Sequence, residues 1–238
     1  MTQAWLLEAA RNNAEWCDAM CRAHGLPGTF SGPVWSNPRR TPPYYPDAVT
    51  LAPAATADDV LDPIDRASAG ASVKDSFACL DLSGAGFGIL FDAEWIIRFP
   101  GAGRPAGEPR AATGDPITWG VVEDASGLRT WEAGLHGGTG DGLFPPALLA
   151  DPSVAVLAGR IGGDIVCGAV LSTSGRVVGL SNVFASGCDL DAVWDGAVAT
   201  AARLFPDRPV VGYESGEDLD HARSRGFQPI GRLRVWIA

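Results

Sequence analysis

A carboxylate and an imidazole near the end of the chain are the residues best suited to proton transfer. Glu214 directly follows an apolar stretch, Val210 to Tyr213, and His221 lies a few residues later between Asp220 and Ala222. A carboxylate at a strand end in a cleft has its pKa raised by partial burial, so Glu214 is a candidate base for an amine. His221 is a candidate acid. An exposed loop glutamate and a solvated surface histidine are the alternatives.

Two further patterns suggest ligand chemistry but are incomplete. Cys17, Cys21 and His24 have the spacing of one helix face, where they could gather a soft metal ion. No fourth ligand accompanies them and the same face carries an apolar stripe, so no metal site is predicted. The glycine-rich run from His136 to Gly142 lacks the Lys-Ser/Thr ending of a phosphate-binding loop. A mobile loop on the substrate side is expected there.

Two arginines and two tyrosines lie close together in a proline-rich stretch. Arg39 and Arg40 precede Tyr44 and Tyr45. These side chains could stack on an aromatic ligand, or the arginines could hold the loop against an acidic surface. The second interpretation is adopted here.

The composition is that of a globular chain with an acidic surface. Of 238 residues 46% are hydrophobic, and 28 Asp and Glu against 18 Lys and Arg give a formal charge of −10. This charge repels nucleic acid and anionic lipid, so a small-molecule substrate is the expected partner. No apolar run reaches the ~18 residues of a membrane span and no secretory signal is recognised, so a cytoplasmic location with reduced cysteines is expected. Lys74 is the only lysine.

Apolar periodicity and turn residues predict alternating helices and strands. The stretch 25–46 contains six prolines and is expected to lack regular structure. The predicted helices are 3–24, 56–66, 126–135, 190–205 and 217–225. The predicted strands are 47–52, 72–82, 89–99, 117–122, 154–160, 165–172, 176–184, 210–213 and 233–237.

The run from Pro100 to Pro116, rich in Gly, Ala and Pro, is the best candidate for a domain boundary. It predicts an N-terminal α/β domain at 1–112 and a second domain at 113–238. The two parts share an internal echo, because Gly86-Phe87 precedes Trp95-Ile96 as Gly226-Phe227 precedes Trp236-Ile237. The echo suggests a tandem of one abbreviated and one full module.

The order of elements from 117 to 238, with the turn Arg225-Gly226-Phe227, resembles the GNAT superfamily of acyl-CoA N-acyltransferases. The resemblance implies an α/β (α+β) fold with a mixed, mostly antiparallel twisted sheet and flanking helices. It also implies transfer of an acyl group, in the simplest case acetyl, from acyl-CoA to an amine. The alternative is a catalytically inactive module that keeps the fold and binds another small ligand or a protein partner.

The same resemblance implies where the donor and the catalytic groups lie. A pantetheine arm would lie between the strands at 178–184 and 210–213, and the pyrophosphate would meet the start of the next helix. The catalytic candidates are Glu214 and His221. The candidates for binding acetyl-CoA are Leu180, Ser181, Asn182, Val183, Phe184, Gly187, Cys188, Asp189 and Ser215.

The sequence departs from the family pattern at two positions. The family reads Q/R-x-x-G-x-G/A before the helix, whereas this chain reads from Ser186 to Asp191 with one glycine and no basic residue. Asp189 is expected to cap the helix, where its carboxylate would itself occupy the anion position. Members of the family often carry a tyrosine four residues before the glycine of the Gly-Phe turn, where it protonates the departing thiolate. In this chain that position is Ala222.

Overall fold

The structure is a computed structural model that describes residues 2–102, 115–138 and 142–238. These residues form five α-helices and eleven β-strands. The helices are α1 (Thr2–Ala23), α2 (Ala57–Leu61), α3 (Ala125–Leu135), α4 (Leu190–Leu204) and α5 (Gly216–Ser224). The strands are β1 (Thr29–Ser31), β2 (Val34–Ser36), β3 (Ala48–Thr50), β4 (Ser72–Asp75), β5 (Gly88–Arg98), β6 (Thr118–Val121), β7 (Val154–Ile161), β8 (Asp164–Ser174), β9 (Val177–Ala185), β10 (Val210–Glu214) and β11 (Gln228–Ile237).

All eleven strands join one sheet, in the order β1-β2-β3-β4-β11-β5-β10-β9-β8-β7-β6. Neighbours are antiparallel except for the pairs β3–β4 and β9–β10. The predicted mixed, mostly antiparallel sheet with flanking helices is therefore confirmed. Strand β5 lies between β10 and β11 and pairs with both, so the first part of the chain completes the sheet of the second.

Alternation along the central strands separates two packed layers. Val156 of β7 packs with α1 and α3 on one face, whereas its neighbour Leu157 packs with α4 and α5 on the other. Successive strand residues point to opposite faces, so an apolar run of this kind is buried on both sides. The helix α1 contributes a stripe from Ala14 to Cys21 to the first layer.

Three sequence predictions differ from the structure in extent. The proline-rich stretch was predicted to be irregular, yet it contains the hairpin β1–β2, because its prolines fall in the turn and beyond the strand ends. Helix α2 ends at Leu61 because Pro63 follows, although Thr56 forms the expected cap and a capping box. Strand β4 ends at Asp75, whose carboxylate accepts hydrogen bonds from the backbone N–H groups of Phe77 and Leu80 and turns the chain.

The internal echo has a local counterpart in three dimensions. Gly86 and Gly226 both adopt a left-handed φ, 89° and 85°, which glycine tolerates without strain. The phenylalanine after each glycine is buried, and the strands that follow, β5 and β11, pair with each other. The domain boundary near residue 112 and the tandem origin stay predictions, and residues 103–114 lie outside the described ranges. No helix in the described part of the chain is long and apolar enough to cross a membrane.

Candidate functional site

The two parallel strands β9 and β10 separate after a short paired stretch. Their register joins Val178 to Val210 and Gly179 to Val211, and pairing ends there. A Cβ atom on Gly212 would lie 2.9 Å from the carbonyl oxygen of Leu180, so the strands are still close at that level. Beyond it, no strand in the described part of the chain pairs with the facing edges of β9 and β10, which leaves a cleft walled by their backbone groups.

Strand β9 bulges where it borders this cleft. Asn182 adopts a left-handed φ of 52°, and the pairing of β9 with β8 shifts register between Gly168 and Val170. A bulge bends the strand and re-aims its backbone groups. The Ser181 hydroxyl donates a hydrogen bond to Asn182 Oδ1 at 3.1 Å, which ties the bulge together. The predicted donor-binding residues Leu180, Ser181, Asn182 and Val183 line the cleft.

Helix α1 covers the cleft on one face of the sheet. Asn12 donates a hydrogen bond to the carbonyl oxygen of Ser172 at 3.0 Å and lies above Gly179, where no side chain blocks it. A cavity of about 220 Å³ remains between α1 and the two strands. Glu214 lines this cavity at the end of β10.

The carboxyl group of Glu214 is perturbed by its surroundings. Burial, followed by the negative charge of Asp218, raises its pKa from 4.5 to about 8. Its cross-strand neighbour Glu94 is ion-paired with Arg223 at 3.0 Å. A carboxyl group with this pKa is largely protonated at pH 7 and becomes a base as the pH rises.

His221 lies elsewhere. Its Nδ1 is 2.7 Å from Asp191 Oδ1, and Arg225 contacts the same carboxylate at 2.8 Å. The hydrogen bond from His221, with the charge of Arg225, lowers the pKa of Asp191. His221 does not line the cavity that Glu214 lines, so the structure does not bring the two catalytic candidates together.

Two backbone N–H groups in the turn before α4 are already hydrogen-bonded within the protein. The N–H groups of Ser186 and Gly187 donate to the carbonyl oxygen of Val166 at 2.9 and 3.0 Å. Asp189 occupies the N-cap position, but its side chain makes no cap hydrogen bond, so the expected carboxylate cap is wrong. Cys188 is half-buried and burial raises the pKa of its thiol. Ser215 precedes α5 and likewise makes no side-chain cap bond.

A second cavity of about 320 Å³ adjoins the first and was not predicted from the sequence. Ser181, Asn182 and Tyr213 line both cavities. Lys74 Nζ lies in the second cavity, 2.8 Å from Asn13 Oδ1 and 3.1 Å from the Tyr213 hydroxyl. In the sequence only Lys74, the one lysine of the chain, could have signalled this cavity.

The remaining candidates have structural roles. Cys17 and Cys21 are buried in the core, and His24 Nε2 contacts the carbonyl oxygen of Leu143 at 2.8 Å. No cluster of three metal-ligating side chains occurs within the described ranges. Arg40 bonds to the buried Asp47 and to the carbonyl oxygens of Asp65 and Ser68, so it holds the proline-rich stretch in place through one carboxylate and backbone groups and not through an acidic surface. Residues 139–141 of the glycine-rich run lie outside the described ranges.

Comparison with solved structures identifies the fold. A GCN5-related N-acetyltransferase from Kribbella flavida superposes with a TM-score of 0.64 at 16% identity, over 96% of this chain and 95% of that one. A GNAT-family protein from Novosphingobium aromaticivorans gives 0.51 at 13% identity, over 93% and 94%. A conserved protein of unknown function from Staphylococcus epidermidis gives 0.55 at 11% identity, over 71% and 72%. No family model and no curated protein matches the sequence.

Proposed function

We propose that this chain, which has the fold of the GNAT superfamily, transfers an acyl group from acyl-CoA to an amine. The observation that supports this most directly is the cleft between β9 and β10, with its bulge at Asn182. A thin thioester arm fits such a cleft, because unpaired strand backbone offers hydrogen bonds to the two amides of pantetheine. Acetyl is the simplest acyl group consistent with a cavity of about 220 Å³.

The proposed reaction needs three contributions from the protein. Backbone N–H groups at the bulge polarise the thioester carbonyl and stabilise the developing oxyanion. The amine nitrogen attacks the carbonyl carbon, its bond to carbon forms, and the bond from carbon to sulfur breaks. Glu214 accepts the proton that the nitrogen loses and returns it to solvent, and the departing thiolate takes a proton from solvent, so CoA and an amide are the products.

A binding module without catalysis is the second candidate, and one observation favours it. The Ser186 and Gly187 N–H groups, which would meet the pyrophosphate in a standard turn, are bound to Val166. Asp189 adds negative charge beside that position, whereas the charge of Asp191 is paired with Arg225. A phosphate therefore gains less here than at an ordinary helix N-terminus.

Binding of acetyl-CoA tests the proposal. We expect acetyl-CoA to raise the melting temperature, since ligand at 100 times its Kd adds about 2.7 kcal/mol of stability. Because the Ser186 and Gly187 N–H groups are already bonded to Val166, S-acetylpantetheine should bind with an affinity within about tenfold of that of acetyl-CoA. No shift with either compound at millimolar concentration would contradict the acyltransferase. A shift with acetyl-CoA but no acetylated product from a panel of amines would support the binding module.

A charge-removing variant at the turn gives a second measurement. Asp189→Asn keeps an N-cap residue and removes one negative charge, so we expect acetyl-CoA to bind about two- to fivefold more tightly at low salt. S-acetylpantetheine, which lacks phosphate, should bind unchanged. Asp164→Asn, at an exposed hairpin residue, is the matched control. Calorimetric titration at two salt concentrations measures the effect, and equal changes for both compounds would place the pyrophosphate elsewhere.

A further inference from the structure

The only lysine of the chain is buried at the base of the larger cavity. Lys74 is 5% exposed and lies on β4 between β3 and β11, where its neighbour Val73 points to the opposite face. The ammonium bonds to Asn13 Oδ1 and the Tyr213 hydroxyl, and it lies 4.3 Å from the centre of the Tyr213 ring. These two bonds leave one of its three N–H donors for a ligand.

This ammonium has no carboxylate partner among the described residues. Burial lowers the pKa of Lys74, but the nearby Tyr213 and Cys17 outweigh burial, so its pKa is raised above the ordinary lysine value. The described residues that line the cavity include no aspartate or glutamate. A buried charge without a counter-ion is costly, and an anionic ligand would supply the missing partner.

Two more polar atoms in the same cavity lack partners. Tyr45 is 8% exposed, and neither its hydroxyl nor His136 Nε2 has a hydrogen-bond partner among the described residues. Burial, with the neighbouring Cys17, Tyr213 and Cys21, raises the pKa of Tyr45 well above its usual value, so the phenol keeps its proton and remains a donor. The Lys74 ammonium therefore remains the charged donor of the cavity, and an ionised carboxylate is the acceptor that suits it best.

The other walls suit an apolar body of about amino-acid size. Trp16, Leu135 and Leu143 line the cavity, and Tyr44 stacks on His136 with ring centres 6.0 Å apart. A volume of about 320 Å³ accommodates one small molecule with a ring or branched chain. Ser181 and Asn182 line both this cavity and the acyl cleft, so a molecule bound here lies beside the bulge.

We infer that Lys74 binds the carboxylate of the acyl acceptor, and that the acceptor is a small amino acid with an aromatic or branched apolar body. This inference rests on the proposed function, because only acyl transfer makes the molecule bound in this cavity an acceptor. The amine of an α-amino acid is on the carbon next to the carboxylate. Tyr213, whose hydroxyl is 3.1 Å from Lys74 Nζ, lines both cavities, so a carboxylate bound at Lys74 leaves the amine close to the cleft and the thioester.

Binding of matched carboxylate and amide compounds tests this without catalysis. We expect 3-phenylpropionate to bind the wild-type protein about 10- to 100-fold more tightly than 3-phenylpropionamide, measured by calorimetry. Lys74→Met should abolish this preference. Asn13→Asp should also abolish it while retaining Lys74, because an internal carboxylate would then lie where Asn13 Oδ1 is now, 2.8 Å from the ammonium. Arg203→Met removes an exposed cation and is the control that should keep the preference.

Kinetic comparison places the carboxylate on the acceptor. With acetyl-CoA as donor, kcat/KM for phenylalanine should exceed that for phenethylamine by the same factor, and Lys74→Met should equalise the two. Equal binding of 3-phenylpropionate and its amide, or a preference that persists in both variants, would overturn the inference. A preference for succinyl-CoA over acetyl-CoA that depends on Lys74, without a preference for phenylalanine over phenethylamine, would also overturn the inference, because the bound carboxylate would then belong to the donor. If acetyl-CoA does not bind, the proposed function fails, whereas the carboxylate preference is still measured independently.

Discussion

Replacing Glu214 by glutamine is expected to lower kcat/KM for acetyl transfer by about 10²- to 10⁴-fold, the range for loss of a general base. Glutamine keeps the size of the side chain and its place at the end of β10 but cannot accept the amine proton. The KM for acetyl-CoA should change little, because the donor arm is held by the strand backbone. Glu217→Gln, in the exposed first turn of α5, is the control and should leave the rate unchanged.

The pH dependence supplies a separate signature of Glu214. Its pKa is about 8, so the basic form increases with pH and kcat/KM should rise through this value before it levels off. The Glu214→Gln variant should lose this inflection along with its activity. A wild-type profile that is flat between pH 6.5 and 9, or a variant that keeps the inflection, would show that another group carries the proton.

The protonation of Glu214 should also affect the stability of the protein: the free energy of unfolding should fall over the pH range in which kcat/KM rises. The folded pKa of about 8 lies above the reference value of 4.5, so the folded state retains a proton that the unfolded state releases. The free energy of unfolding therefore falls as the pH rises from about 4.5 to 8, by at most about 5 kcal/mol. Glu214→Gln should remove this loss, so urea unfolding at pH 8.5 should show a more stable variant than wild type.

Most helices and strands could be predicted from the sequence, because each has a local pattern of apolar residues bounded by glycine or proline. Helix α1 was found from its apolar stripe and from Gly25, which follows its end with a left-handed φ of 70°. Strand β11 was predicted from Leu233 but begins at Gln228, since Pro229 and Gly231 hide its start and coincide with a register shift. The insertion of β5 between β10 and β11 has no local signal, because it depends on pairing between distant segments.

The candidate site divides in the same way. Glu214 was identifiable because it ends a buried strand, and its environment is set mainly by burial there. Lys74 was noticed only as an isolated lysine, since its partners Asn13 and Tyr213 lie 61 and 139 residues away in the sequence. His221 was proposed as an acid without knowledge of Asp191, 30 residues away, which holds it at α4. Pairings across such distances are decided by topology.

A single methyl group on Gly179 is expected to destabilise the protein by about 2–4 kcal/mol. The added Cβ would lie 2.1 Å from Asn12 Oδ1 and 2.6 Å from Ser172 Oγ. Asn12 would have to leave its buried position, so its hydrogen bond to Ser172 would be lost. Gly120→Ala, on an open stretch of strand with nothing within 4 Å, is the control and should cost little.

The second substitution that isolates this contact is Asn12→Ala. It vacates the space above Gly179, so Gly179→Ala should cost little further stability in the Asn12→Ala background, and urea unfolding of all four proteins would give a coupling of about 1–3 kcal/mol. Additive costs would mean that the methyl group strains the strand itself. Because α1 also carries Asn13 and Trp16, which line both cavities, Gly179→Ala alone should weaken carboxylate binding at Lys74 as well. If Gly179→Ala destabilises the protein but leaves carboxylate binding unchanged, the position of α1 does not determine the shape of the cavity that contains Lys74.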